Sequence, residues 1–142
     1  MPEEKRVYDF GKYVTSSEEL AEIFYNLKRM ESVLDFPENA SVDSLVEKQT
    51  AVSGYASRMK TSLSNFAKRV YHCDLDAIPQ ETYAGKIIRT LDGIKTETFY
   101  FKEMALQLPA GKIKDNLREA ARLADGLPEM VAALDSGEDE GK

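Results

Sequence analysis

Apolar residues recur along most of this chain at the three- and four-residue spacing of helices. Leu20, Ile23, Leu27, Met30 and Leu34 define a first helix that opens at Ser16 and stops at Phe36-Pro37. Ser16-Ser17-Glu18-Glu19 reads as a capping box, the serine accepting from the amide three residues on while Glu19 reaches back. The second helix, starting at Ser41 or Ser44, carries the strongest pattern. Val42, Gln49, Ala56, Leu63 and Val70 occupy one position of a seven-residue repeat, and Leu45, Val52, Met59, Phe66 and Cys73 occupy its partner. That run predicts a helix of about 33 residues and ~50 Å at 1.5 Å per residue.

A third helix follows Pro79, repeating Ala84, Leu91, Thr98 and Ala105 against Ile87, Ile94, Phe101 and Leu108 until Pro109. The fourth carries Ile113, Leu117, Ala120, Ala124, Leu127, Val131 and Leu134. Pro128 interrupts it, so a kink or a break is expected there, and the apolar phase running through the interruption favours a kink. Short connections at 36–40, 74–79 and 109–111 require antiparallel neighbours. The expected fold is therefore all-α: an antiparallel four-helix bundle over residues 16–135 with a long hairpin of the second and third helices. Residues 1–15 hold Val7, Tyr8, Phe10, Tyr13 and Val14 without a helical period. They read as a segment docked on the bundle or an arm reaching a second subunit, and residues 136–142 read as a solvated acidic tail.

The composition fits one globular domain: 142 residues, 42% hydrophobic and 31% charged, with a net charge of −6. No apolar run is long enough to span a membrane, and the first twenty residues lack the apolar stretch of a secretory signal. One cysteine makes no internal disulfide, which fits a reducing, cytoplasmic setting. No membrane partner is expected.

Little in the sequence points to catalysis. With a single histidine and a single cysteine, multi-histidine and Cys-x-x-Cys metal sites cannot be built. The eight glycines form no dinucleotide or phosphate-loop motif. His72 and Cys73 are neighbours, and neighbours on a helix do not face one another. Cys73 also continues the apolar repeat, so it is expected in the core, where a thiol is inert. His72, Asp74 and Asp76 lack a specific ligand spacing. Glu18 and Glu22 share a helix face, a placement the helix dipole favours without any catalytic purpose. The expectation is a chain with no catalytic residues, cofactor or metal.

Charge changes the picture at one place. Residues 51–118 hold eleven bases against seven acids, in a chain with 25 acids and 19 bases overall. No acid occurs between Glu47 and Asp74. With the repeat turned inward, the second helix presents small and hydroxyl residues outward, including Gly54, which costs roughly 1 kcal/mol relative to alanine. Ser57, Arg58, Lys60, Thr61, Ser64, Asn65, Lys68, Arg69 and Tyr71 lie on or beside that face and are the candidate contact residues. Small side chains admit a close protein neighbour, and a solvated face accounts for the same composition. The functional expectation is a non-enzymatic interaction or assembly subunit that self-associates or joins a larger complex. Arg, Lys, Ser, Thr and Asn are also the residues that bind phosphates. The alternative expectation is therefore a nucleic-acid-binding accessory protein, its cations neutralising phosphates and Tyr71 stacking on a base.

Overall fold

The computed structural model describes residues 6–99 and 101–138. The chain is mostly helical, with one small antiparallel sheet among the described residues. Its elements are β1 (Tyr8–Phe10), β2 (Tyr13–Thr15), α1 (Glu18–Leu34), α2 (Val42–Val70), α3 (Tyr83–Thr98), α4 (Lys102–Ala105), α5 (Ala110–Asp125) and α6 (Leu127–Asp135). A single 3₁₀ turn, Leu75–Ala77, lies in the α2–α3 connection.

The hairpin was not expected from helical periodicity. Its logic is local. Phe10 pairs with Tyr13 across a two-residue Gly11-Lys12 loop, and Gly11 sits at φ 83°. A two-residue hairpin loop with a positive φ at its first position favours glycine there. The Asp9 carboxylate accepts the Gly11 amide at 2.9 Å. Phe10 and Tyr13 both stack on Phe24 of α1, with centroids 5.2 and 5.4 Å apart. Thr15 donates to Asp135 at 2.7 Å, tying β2 to the end of α6.

The cap of α1 is Ser17 rather than Ser16. The Ser17 hydroxyl accepts the Leu20 amide at 3.3 Å and donates to Glu19 at 3.1 Å, while the Ser17 amide donates to the Thr15 hydroxyl at 3.0 Å. Ser41 caps α2 by accepting the Ser44 amide. Within α2 every repeat position from Leu45 to Phe66 is buried, Gln49 included. The helix stops at Val70 after 29 residues, short of the expectation. His72 then adopts a left-handed φ of 55°, which ends the helical path. Cys73 consequently lies outside the helix and is half-buried, not a core residue.

The third helix also differs from expectation. It ends at Thr98 after 16 residues, so the α2–α3 hairpin is unequal. Thr96, Thr98, Phe99, Tyr100 and Phe101 are weak helix formers placed together, and propensity wins over the heptad there. Phe101, expected in the core, is 65% exposed. The fourth helical stretch is two helices meeting at Gly126, not one kinked helix, with Pro128 in the first turn of α6 where a missing amide costs nothing. The apolar phase still continues, since Ala124, Leu127, Val131 and Leu134 are all buried.

Long-range pairs fix the directions. The first turns of α1 meet the last turns of α2 through Glu19–Arg69 and Glu22–Ser62. Thr90 of α3 lies against Met130 of α6, and a Cβ on Gly93 would lie 3.2 Å from the Leu123 side chain of α5, so α3 runs opposite to the α5–α6 pair. Lys114 and Arg118 of α5 both reach Glu38, between α1 and α2.

Gln49 is the anomaly of the core. It is 1% exposed, and no hydrogen-bond donor reaches its Oε1 among the described residues. A buried polar atom left unpaired costs about 1–3 kcal/mol. Gln49→Met keeps the length and removes that oxygen, so urea unfolding should show a gain of about 1–3 kcal/mol. A loss of stability would mean that the amide is satisfied in solution.

Candidate interaction surface

The outer face of α2 is built by helical spacing. Thr50, Gly54, Arg58, Thr61, Asn65 and Lys68 fall three or four residues apart and are all exposed, while Ser57 and Ser64 are half-buried beside them. Two shallow depressions follow the face. One of about 260 Å³ is lined by Thr50, Ala51, Gly54, Tyr55 and Arg58. Another of about 320 Å³ lies against α1 and adds Glu22, Asn26 and Asn65 to Ser57, Arg58, Thr61 and Ser62. The Arg58 guanidinium stands 5.7 Å from the Tyr55 ring centre. The Thr61 hydroxyl donates back to the Ser57 carbonyl of its own helix, a common use of threonine within helices.

The four cations of the face are not equivalent. Lys60 pairs with Asp92 of α3 at 2.8 Å. Arg69 holds Glu19 of α1 through Nε and Nη2, and its ring neighbour is Phe66 at 5.7 Å. Hydrogen bonding to Arg69 keeps the Glu19 carboxyl below its ordinary range. The stabilisation from that pair is therefore present above the usual carboxylate range and fades as pH falls through the depressed value. Arg58 and Lys68 have no acidic partner among the described residues. Tyr71 lies beyond the end of α2, half-buried, with its ring edge-on to Phe66 at 5.8 Å. It is thus packed against the core rather than aligned with Arg58 and Lys68.

Gly54 gives the face its relief. A Cβ built there meets nothing within 4 Å. Gly54→Ala should therefore recover the helix cost and raise stability by about 0.5–1 kcal/mol. A lower thermal midpoint for this variant would show that the open space is needed by the fold.

A second exposed surface is apolar and lies at the end of α3. Phe99, Phe101, Met104 and Leu106 are 63, 65, 55 and 41% exposed, and the two phenylalanine rings lie 5.8 Å apart. Ala105 is the buried residue of α4. This cluster occupies the connection from α3 to α5. Phe99, Met104 and Leu106 fall off the apolar repeat of the third helical stretch, and that mismatch was a visible signal.

Among the described residues, no group of three or more His, Cys, Asp or Glu side chains is arranged to hold a metal. No helix among them is long and apolar enough to cross a membrane. Searches against protein-family models, curated proteins and solved structures found no match.

Proposed function

We propose that this chain is a non-enzymatic interaction subunit that self-associates, built on four helical columns: α1, α2, α3 and the α5–α6 pair. The observation that carries this reading is the exposed cluster Phe99, Phe101, Met104 and Leu106. Phenylalanine rings bury 150–250 Å² each in interiors, so two rings more than half exposed leave about 200–300 Å² of apolar surface in water. Covering that area is worth on the order of 5–8 kcal/mol. Association itself costs about 4–15 kcal/mol, so this patch alone supports only weak, concentration-dependent assembly. A standard interface takes about 800 Å² from each partner, so further surface must join it. The small-residue face of α2 around Gly54 is assigned that second role.

Radical footprinting at two protein concentrations tests the assignment of surfaces. Oxidation of Met104 and Phe101 should fall as concentration rises, while exposed Tyr25 on α1 stays constant. Equal oxidation of all three at both concentrations would remove the connector from any interface.

The alternative proposal is a nucleic-acid contact along α2, favoured by the exposed, acid-free pair Arg58 and Lys68. Four neutralised phosphates would give a log–log salt slope near −3.6 on duplex, whereas these two cations alone give about −1.8. Fluorescence anisotropy with labelled oligonucleotides at low salt distinguishes the cases. Binding unaffected by replacing both cations with alanine would eliminate this face as a nucleic-acid site.

A further inference from the structure

We propose that the apolar cleft beside the start of α3 receives the Phe99–Phe101 pair of a second copy, so that copies associate head to tail. This contact rests on the proposed self-association and names the surface that the exposed cluster meets. The cleft lies at the α2–α3 connection and measures about 260 Å³. Tyr71, Cys73, Ala77, Ile78 and Pro79 line it, together with buried Ala84. Thr82 also lines it, but its hydroxyl is engaged within the chain, donating to the Pro79 carbonyl and accepting the Gly85 amide. Ala77 and Pro79 are exposed, so the cleft opens to solvent. An apolar cavity of about 150 Å³ admits benzene, so this volume takes a phenylalanine ring.

Position and charge choose the occupant. The cleft borders the first turn of α3, and the Phe99–Phe101 pair follows its last turn. Sixteen residues at 1.5 Å each set them about 24 Å apart, too far for a chain to fill its own cleft. Residues 71–82 carry Asp74, Asp76 and Glu81 with no lysine or arginine, and all three acids are exposed. Of the nearest cations on α2 and α3, Arg69 pairs with Glu19, Lys86 lies 4.9 Å from the Tyr83 ring centre, and Lys68 belongs to the outer face of α2. The connector beside the phenylalanines carries exposed Lys102 and Lys112 with one acid, Glu103. None of these three acids, two lysines or Glu103 forms an ion pair among the described residues. Unlike charge therefore favours one end of a copy meeting the other end of the next. Patch against patch would instead bring the lysines of two copies together and leave the cleft uncovered. Because donor and receptor lie at opposite ends, each contact leaves one of each free, and assembly extends past a dimer or closes as a ring.

Mixing two half-defective chains tests the direction of assembly. Ala77→Arg fills the cleft from an exposed position, and Phe99→Ser/Phe101→Ser removes the exposed donor, so both should melt with the parent. Static light scattering should give the monomer mass for each alone, and a two-chain species with nothing larger for the equimolar mixture. Cys73, the chain's one cysteine, reports on the same cleft. Its alkylation rate in excess iodoacetamide should fall as parent concentration rises, in proportion to the assembled fraction, and stay constant in Phe99→Ser/Phe101→Ser. An assembling parent whose Ala77→Arg variant assembles equally, or whose Cys73 reacts at one rate throughout, would overturn the head-to-tail contact and leave self-association standing. So would a mixture that stays monomeric. A parent that is monomeric at every concentration would overturn both.

Discussion

Leu63→Ala and Phe66→Ala should each lower the unfolding free energy by about 2–5 kcal/mol, because each removes a large side chain from the centre of the packed helices. Leu63 is 0% exposed, and Phe66 is covered by Tyr71 on its edge and by Arg69 above its ring. On the same stretch of α2, Lys60 pairs with Asp92 of α3 and Ser62 donates to Glu22 of α1, so that stretch is held between two helices. The control is Asn65→Ala between Leu63 and Phe66, an exposed position where change is expected within about 0.5 kcal/mol. Urea unfolding of the three variants reads the contrast directly. Unfolding of Leu63→Ala and Phe66→Ala like Asn65→Ala would mean that neither side chain lies in the packed interior.

Gly85→Ala should be the next most damaging change, on the order of 2–3 kcal/mol, although alanine is the better helix former. A Cβ at Gly85 would lie 2.2 Å from the Pro79 carbonyl oxygen and 2.8 Å from the Gln80 Cα, both backbone atoms. The Pro79 carbonyl also accepts the Thr82 hydroxyl at 2.7 Å, and that hydroxyl accepts the Gly85 amide to cap α3. Moving Pro79 aside therefore disturbs the cap as well, itself worth about 0.5–2 kcal/mol. The same substitution at Gly54 meets open space and should stabilise. Two glycine-to-alanine changes in helices of one chain thus carry opposite signs, and parallel thermal melts decide both. Stabilisation at both sites would show that the chain between α2 and α3 yields freely.

What the sequence revealed follows from what each element depends on. The inward stripe of α2 is a property of one helix, and its residues from Leu45 to Phe66 are buried as their spacing required. The interruption at Pro128 is equally local, although periodicity could not separate a kink from two helices meeting at Gly126. The β-hairpin has three-residue strands, too short for a periodic signal, and only Gly11-Lys12 between Phe10 and Tyr13 marked it. The end of α3 was a contest between heptad spacing and a run of threonine and aromatic residues, which the run won. The charge of the α2 face was beyond any local reading. Lys60 finds Asp92 and Arg69 finds Glu19 across 32 and 50 residues of chain, so a stripe counted as four cations has two paired with acids.

Self-association is the central claim, and static light scattering across a concentration series tests it most directly. The weight-average mass of the parent chain should rise above 16.0 kDa with concentration, and the Phe99→Ser/Phe101→Ser variant should remain at the monomer mass. Both rings are largely exposed, so the variant should melt at the parent's temperature. A parent chain that holds the monomer mass at every concentration, or a variant that assembles equally well, would contradict the account.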